Sequence, residues 1–369
     1  MKRKWLAIGI ILLFVGTCII PAIAQDTNKA LPSSRGDWLY VGGSGPGNYT
    51  KIQDAVDNSS NGDTVFVFNG TYFESLHVWK IILLCGQDRD STIIDGSHST
   101  ENVISITSAN VRIEGFTIRN SLDYSWGVFS NRDNVSILDN YIEHNSGAIY
   151  IRDCQNVTIK WNHITQNHRQ AIDLYNVSNS TISWNFIYGH YTQYLGVGVN
   201  LFQSKNITIT RNTILENYFG VSCTDSSYTT IYANKIESCE DTAIYFSNAS
   251  WCNISSNNLS SYIDGVFFIF HSNYNSVFLN EIHASLRNDV DIASSFFNTV
   301  THNNMEKKGN SASFFNSMFN RWDENFWGAP RLFPKPIVGH YYINSTIGIP
   351  WFQFDWHPAQ EPYDIPGVN

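Results

Sequence analysis

A column of aromatic and polar side chains recurs at equivalent positions in successive segments of this 369-residue chain. It combines flat apolar rings with amide, carboxylate and guanidinium groups, which are the groups that bind sugar rings and their hydroxyls. Because its members alternate with aliphatic residues, we expect them to point outward from stacked β-strands. The alternative is an ordinary sheet surface, where aromatic residues are also favoured. The predicted binding residues are Tyr150, Arg152, Asp173, Tyr175, Asn200, Phe202, Tyr245 and Phe268.

Two carboxylates of this region could support catalysis. Asp153 and Asp173 fall on neighbouring strands of the predicted stack, with Arg152 beside them. Glycoside hydrolysis uses two carboxyl groups roughly 5–9 Å apart, a separation that stacking can provide. A lyase would need calcium-binding carboxylates and a Lys or Arg base, but the column shows neither an acidic cluster nor a lysine. The hypothesis is a polysaccharide hydrolase or lyase, and whether the chain is an enzyme stays open.

Three histidines, His144, His168 and His190, fall in turns of consecutive segments. Imidazole is a good ligand for copper and zinc, and Glu143 lies beside the first histidine. The three do not share one position within their turns, so exposed turn residues are the alternative. A copper or zinc site is therefore a hypothesis that depends on the three side chains converging.

The elements that position these residues follow a repeat, in which an Asn is followed two residues later by a large apolar residue. Successive copies of this Asn are 22, 23, 27, 22, 23, 23, 23 and 22 residues apart. A fixed period of this length indicates a solenoid of stacked units. We expect the Asn column to be structural, because stacked amides form hydrogen-bonded ladders and Asn tolerates tight turns. Its members are Asn140, Asn162, Asn185, Asn212, Asn234, Asn257, Asn280, Asn303 and Asn325.

Apolar residues recur thirteen and three residues before each Asn, as well as two residues after it. Three short strands in a coil of about 22 residues are typical of a parallel β-helix, in which each strand pairs with its copy in the next coil. We predict an all-β fold of about ten or eleven such coils. The 27-residue interval contains a lengthened turn at 188–195, which we expect to wall a groove, because lengthened turns often carry the function of a solenoid.

Residues 38–63 differ from the repeats and predict a cap for the open end of the solenoid. Apolar positions within Thr50–Ser59 have helical spacing. Thr64–Phe68 is predicted to be a strand that ends at an Asn-Gly turn, and Ile81–Leu84 and Thr92–Ile94 are predicted to be further strands.

Ile52–Val56, Gly62–Val65 and Gly70–Glu74 resemble the start of right-handed parallel β-helix proteins. That superfamily includes pectin-degrading enzymes and NosD-like exported proteins, and the later Asn repeats look like its coil repeats. The resemblance covers roughly residues 38–330. It implies the right-handed fold but no particular chemistry, since the matching residues are those that build the coil. Its NosD-like members are associated with copper handling.

The N-terminus predicts export. Residues 1–24 combine a basic start, an apolar run from Trp5 to Ile20 and a small-residue site ending at Ala24. An uncleaved membrane anchor is the alternative. Residues 25–37 are predicted to be a polar linker. The mature chain would then be secreted or cell-surface, where its many Asn-x-Ser/Thr sites could make it a glycoprotein in a suitable host.

The C-terminal segment 331–369 is rich in Pro and aromatic residues. We expect it to be a cap that cannot continue the strand ladder, with an aromatic sugar-binding module as the alternative. The five cysteines after the leader show no metal-binding spacing. Buried thiols are the simple expectation, and a Cys239–Cys252 or Cys223–Cys239 bridge is the alternative.

The composition limits the partners. A net charge of −9 with only 15% charged residues excludes a basic surface for nucleic acid. We expect a monomer whose partner is a polysaccharide or cell-envelope glycan. The rival hypotheses are a structural or adhesion rod of the envelope and a NosD-like accessory protein in copper-centre assembly.

Overall fold

The computed structural model describes residues 36–190, 196–305, 311–342 and 348–365. The predicted export signal, nearly all of the linker and residues 191–195 of the lengthened turn lie outside the described residues.

Each coil of the chain contributes one short strand to each of three parallel columns, and about 13 coils stack on one another. The predicted parallel β-solenoid is confirmed. The predicted number of coils was too low, because the first coils lack the Asn repeat from which the coils were counted. In the order in which a coil visits them, we call these the first, second and third columns.

The strands of the first column are Leu76–Val78, Ile104–Ile106, Trp126–Ser130, Gly147–Gln155, Ile172–Ser183, Val197–Phe202, Phe219–Thr224, Thr242–Ser247, Asp264–Ile269, Val290–Ala293, Ala312–Phe315 and Lys335–Tyr342. The strands of the second column are Trp38–Val41, Thr64–Val67, Leu83–Gly86, Arg112–Glu114, Ser136–Leu138, Thr158–Lys160, the end of Ile172–Ser183, Lys205–Thr210, Thr230–Tyr232, Asn253–Ser255, Ser276–Phe278, Thr299–Thr301, Arg321–Asp323 and Gly348–Asp355. The strands of the third column are Gly70–Tyr72, Thr92–Asp95, Thr117–Arg119, Tyr141–Glu143, His163–Thr165, Phe186–Tyr188, Thr213–Leu215, Lys235–Cys239, Asn258–Ser261, Glu281–Ala284, Asn304–Met305 and Phe326–Trp327.

The core runs along the axis between the columns. Ile149, Ile172 and Val199 stack in register in the first column, and each is fully buried. The aliphatic side chains of the other two columns are buried opposite them. Since each coil buries the apolar faces of its neighbours, stability is shared along the stack.

The repeated Asn residues form a buried ladder at the corner between the second and third columns. Asn212 shows the pattern: its Oδ1 accepts the backbone N–H of Asn185 at 2.9 Å. Its Nδ2 donates to the carbonyl of Ile182 at 3.0 Å and to Oδ1 of Asn234 at 3.0 Å. Each amide thus satisfies backbone groups of the adjacent coils, and the structural interpretation of this column is confirmed.

A short helix, α1 (Ile52–Asn58), packs Ile52, Ala55 and Val56 onto the first coils. The carboxylate of Glu74 accepts the backbone N–H groups of Ile52 and Gln53 at 2.8 and 3.0 Å. These bonds satisfy two donors that a helix start leaves unpaired.

The C-terminal segment does extend the ladder, contrary to the prediction. Lys335–Tyr342 and Gly348–Asp355 form an antiparallel hairpin. The first of these strands also pairs in parallel with Ala312–Phe315 in the first column. Proline is tolerated here because Pro336 lies near the start of a terminal strand, where few ladder bonds are required.

The thiols of Cys154, Cys223, Cys239 and Cys252 are buried and free, and no disulfide joins the described cysteines. Burial raises the pKa of Cys154 and Cys239 to about 12 and that of Cys252 to about 11. Because the thiolate is the reactive form, we expect these four thiols to resist a charged thiol reagent at pH 8 and to react fully in urea. Rapid labelling of the native protein at any of the four, located by mass spectrometry, would contradict this packing.

Candidate functional site

The predicted outward column lies on the solvent side of the first column. Tyr150, Asp173 and Asn200 are aligned in successive coils. Arg152, Tyr175 and Phe202 form a parallel row two residues further along the same strands. The alignment predicted for these six residues is therefore present, and we call them the first-column face.

Asp173 has the most strongly shifted pKa of the groups on this face. Its Oδ1 accepts a hydrogen bond from Nδ2 of Asn200 at 2.8 Å, and Asn200 is its only hydrogen-bond donor among the described residues. Burial raises the pKa of Asp173 to about 6, although Asn200 and Arg169 counteract the effect. A carboxyl group with this pKa can either accept or donate a proton near neutral pH.

Asp153 is in a contrasting environment. It lies within the strand Gly147–Gln155, where it has a φ of 53°, and its side chain is exposed. Its carboxylate accepts hydrogen bonds from Nδ2 of Asn176 at 2.9 Å and from Nε of Arg152 at 2.7 Å. These bonds, that of Asn176 first, lower the pKa of Asp153. The pKa of Asp173 is thus raised and that of Asp153 lowered, as is expected of a general acid and a general base. Their joint catalytic role stays a prediction.

The aromatic rings of this face stack on one another from coil to coil. The ring centroids of Trp126 and Tyr150 are 5.0 Å apart, and those of Tyr175 and Phe202 are 5.5 Å apart at an angle of 17°. The guanidinium carbon of Arg152 lies 5.7 Å from the Tyr175 ring. Since these contacts cover one face of Tyr150 and Phe202 and involve Tyr175 on two sides, the surface offers ring edges, hydroxyls and the polar groups between them.

Phe268 does not belong to this face, so its prediction as an outward residue was wrong. It is fully buried in the core, and Phe267 takes the outward position beside Tyr245. This coil has one more residue between the strand and the repeat Asn than the preceding coils have. The additional residue lies after the strand, where Phe270 and His271 both adopt positive φ. Counting back from the Asn repeat therefore shifts the strand by one residue, which exchanges its two faces. Tyr245 points outward as predicted.

The three histidines do not come together. His190 is fully buried in a second ladder, at the corner between the third and first columns, where it lies between Asn167 and Asn217. His144 and His168 are exposed. Across the described ranges, no group of three or more His, Cys, Asp or Glu side chains could hold a metal ion. The expected convergence on copper or zinc is therefore not seen.

A charged cluster that the sequence did not indicate lies further along the first column. Arg287 bridges Asp264 and Asp291, with Nη–Oδ distances of 3.2 and 3.4 Å. Burial raises the pKa of Asp264 to about 6, although Arg287 opposes the effect. The carboxylates of Asp264 and Asp291 are almost fully buried, so this cluster mainly fixes the turn rather than contacting a ligand.

A comparison with protein families decides the classification. The model of the right handed beta helix region matches residues 84–189 and 126–305, which is more than half of the chain. The chain belongs to the right-handed β-helix family.

Solved structures of other right-handed β-helix proteins have the same architecture. The A-module of a mannuronan C-5 epimerase from Azotobacter vinelandii is 12% identical, with a TM-score of 0.57 over 84% of this chain and 94% of that module. DFA-IIIase from Arthrobacter chlorophenolicus without its lid is 12% identical, with a TM-score of 0.61 over 80% and 95%. The surface adhesin PfbA of Streptococcus pneumoniae is also 12% identical, with a TM-score of 0.54 over 84% and 95%. At this identity the likeness concerns the fold.

No curated protein matches the sequence of this right-handed β-helix protein. Within the described ranges it has no helix of the length and apolar character needed to cross a membrane.

Proposed function

We propose that this right-handed β-helix protein is exported and binds a polysaccharide or cell-envelope glycan on its first-column face. Tyr150, Asp173 and Asn200 align hydroxyl, carboxyl and amide groups in three successive coils. Arg152 and Tyr175 add polar groups on one side. Such a row is suited to the repeated hydroxyls of a sugar chain laid along the solenoid. The carbohydrate-related names of two of the similar structures support this choice.

The observation that carries the proposal is the environment of Asp173. Its carboxyl is desolvated but receives one hydrogen bond from the described residues, so its charged form is destabilised. The buried Asn ladders hold the coils together at the corners, and Asp173 is not part of them. Residues that lower stability without a packing role are common at functional sites.

Processing of the bound glycan is a second candidate function, and the pKa of about 6 at Asp173 favours it. In this mechanism Asp173 would protonate a leaving oxygen while the ionised Asp153 acts as the base or nucleophile. Arg152, which donates to Asp153, would keep that carboxylate ionised for this role. Hydrolysis would be recognised by new reducing ends in a digest of the glycan that binds.

A glycan array tests the proposal. The mature chain should retain at least one glycan, and Asp173→Asn and Tyr150→Ala should reduce retention by about tenfold or more, as expected for loss of one good polar contact. Asp225→Asn is the matched control, because Asp225 is an exposed turn carboxylate that accepts a similar amide bond from Asn248. Absence of binding, or equal loss in the control, would instead favour the adhesion or structural rod.

Asp173 should also make stability depend on pH. Its folded pKa of about 6 exceeds the unfolded value, so its stabilising contribution is fully present below pH 4 and is lost as the pH rises through 6. We expect Asp173→Asn to raise the free energy of unfolding at pH 7.5 by about 1–2 kcal/mol and to change it little at pH 4. Urea unfolding at both pH values measures the difference. A variant less stable than the wild type at pH 7.5 would contradict the assigned environment.

A further inference from the structure

A pocket of about 560 Å³ opens at the corner between the second and third columns. No residue of the first-column face lines it. Its walls include the indoles of Trp161 and Trp184 from adjacent coils, together with charged side chains from earlier coils. A volume of this size is within the range of small-ligand sites.

The backbone at these two tryptophans is left-handed, as it is at the other residues that precede a repeat Asn, including Ala233 and Ser256. Each directly precedes an Asn of the buried ladder and has positive φ, 60° at Trp161 and 56° at Trp184. Bulky residues rarely adopt this conformation, whereas Gly and Asn do so easily. The indoles are 47% and 51% exposed, so burial does not explain them either. Tryptophan at these positions therefore serves neither the turn nor the core.

Trp251 provides a comparison. It also has positive φ, 62°, and is 54% exposed. Both faces of its ring are covered, by Tyr228 at 6.5 Å and Tyr274 at 4.5 Å. This indole belongs to a stack that runs along the solenoid, which accounts for it structurally.

The indoles of Trp161 and Trp184 instead each have a cationic side chain against one ring face. Nζ of Lys160 lies 3.7 Å from the Trp161 ring centroid, and the guanidinium carbon of Arg211 lies 5.3 Å from that of Trp184. Both rings also line the pocket, so apolar ring surface is presented to its interior. Flat apolar surface of this kind packs against the C–H groups of a sugar ring.

The polar lining is balanced in charge. Nη1 of Arg89 lies 3.0 Å from Oδ1 of Asp139, and Nε of Arg112 donates to Oε2 of Glu114 at 2.8 Å. Two cations and two carboxylates thus neutralise each other. The Arg89–Asp139 pair is the more exposed of the two, and its N–H groups and lone pairs can bind hydroxyls. His163 adds a ring whose pKa is lowered by burial and by Arg89.

That histidine is also held in place. Its ring stacks between those of Tyr141 at 4.2 Å and Phe186 at 4.5 Å. A pocket whose aromatic and polar groups are fixed before binding loses little conformational entropy when a ligand enters.

We infer that this pocket is a second saccharide site, separate from the first-column face, and that it takes an uncharged sugar unit of about one or two rings. The ring C–H groups pack on the indoles of Trp161 and Trp184. The hydroxyls bind the paired side chains of Arg89 and Asp139. This site does not depend on glycan binding at the first-column face.

Saturation-transfer NMR with maltose, cellobiose, lactose and mannobiose tests the inference on the intact protein, with digalacturonate as the charged comparison. At least one neutral disaccharide should bind, more tightly than digalacturonate. Trp161→Asn and Trp184→Asn should each weaken this binding about tenfold or more. Asparagine suits the positive φ at both positions, so these variants should fold.

Trp251→Asn is the matched control and should leave binding within about twofold. Asp173→Asn distinguishes the pocket from the first-column face. This pattern would support the pocket whatever the glycan array shows. If the wild type binds none of the neutral disaccharides, or if Trp251→Asn weakens binding as much as Trp161→Asn, the inference is overturned. Loss in Asp173→Asn alone would assign the sugar to the first-column face and would also overturn it.

Discussion

Replacement of Asn212 by alanine is expected to lower the free energy of unfolding by about 3–5 kcal/mol. The side chain accepts the backbone N–H and the side-chain Nδ2 of Asn185 at 2.9 and 3.0 Å. It donates to the carbonyls of Ile182 and Thr210 and to Oδ1 of Asn234. All these groups are remote from solvent or nearly so. Alanine would leave several of them unsatisfied in three neighbouring coils, which costs far more than the loss of one exposed bond.

The matched control is Asn206→Gly. Asn206 is exposed, donates one side-chain hydrogen bond to Asn179 at 2.8 Å and has a φ of 55°, which glycine adopts without strain. This substitution should lower the free energy of unfolding by no more than about 1 kcal/mol. Urea unfolding followed by circular dichroism measures both variants. Equal destabilisation by the two changes would show that the buried ladder does not hold the coils together.

We expect His190 to make the stability of the folded protein sensitive to acid, which is the second large effect. Burial lowers its pKa to about 4. In the neutral ring Nδ1 donates to Oδ1 of Asn217 at 2.9 Å, while Nε2 faces the side-chain NH₂ of Asn167 at 3.4 Å. A proton on Nε2 would point at another donor, so the charged ring has no suitable partner there.

The folded pKa of His190 lies below the unfolded value of 6.5. Its stabilising contribution is therefore present above pH 6.5 and is lost as the pH falls towards 4, by roughly 3 kcal/mol in total. His190→Asn should remove this loss, because asparagine occupies the equivalent ladder positions above and below. The free energy of unfolding of the variant should fall less than that of the wild type between pH 7.5 and 4.5.

His144→Asn serves as the control for this comparison. His144 is exposed and has a φ of 53°, which asparagine tolerates. Its replacement should leave the pH dependence of the wild type unchanged. If His190→Asn retains the full acid sensitivity, the sensitivity originates elsewhere in the molecule.

The repeat made most of the fold predictable. Asn162 and Asn185 lie at the same corner because the period counts residues from one turn to the next, and the aligned row of Tyr150, Asp173 and Asn200 follows from that count. The count fails only where a coil places its extra residue after the strand. Two consecutive positive-φ residues, Phe270 and His271, mark that position, and backbone conformation of this kind is not visible in the spacing alone.

Two features were signalled in the sequence but not recognised there. His190 lies five residues after its repeat Asn, as do Asn145, Asn167 and Asn217, so the second ladder was visible in the spacing. Trp161 and Trp184 both directly precede a repeat Asn. The ion pair between Arg89 and Asp139 could not be anticipated, because it joins a loop to a turn 50 residues later.

The location of a bound glycan is the most direct test of the account. A crystal structure of the mature protein with the glycan that the array retains should place it along the first-column face, with a sugar hydroxyl within hydrogen-bond distance of the Asp173 carboxyl. A glycan that lies on the third column, or on the C-terminal hairpin with the first-column face bare, would contradict the assignment.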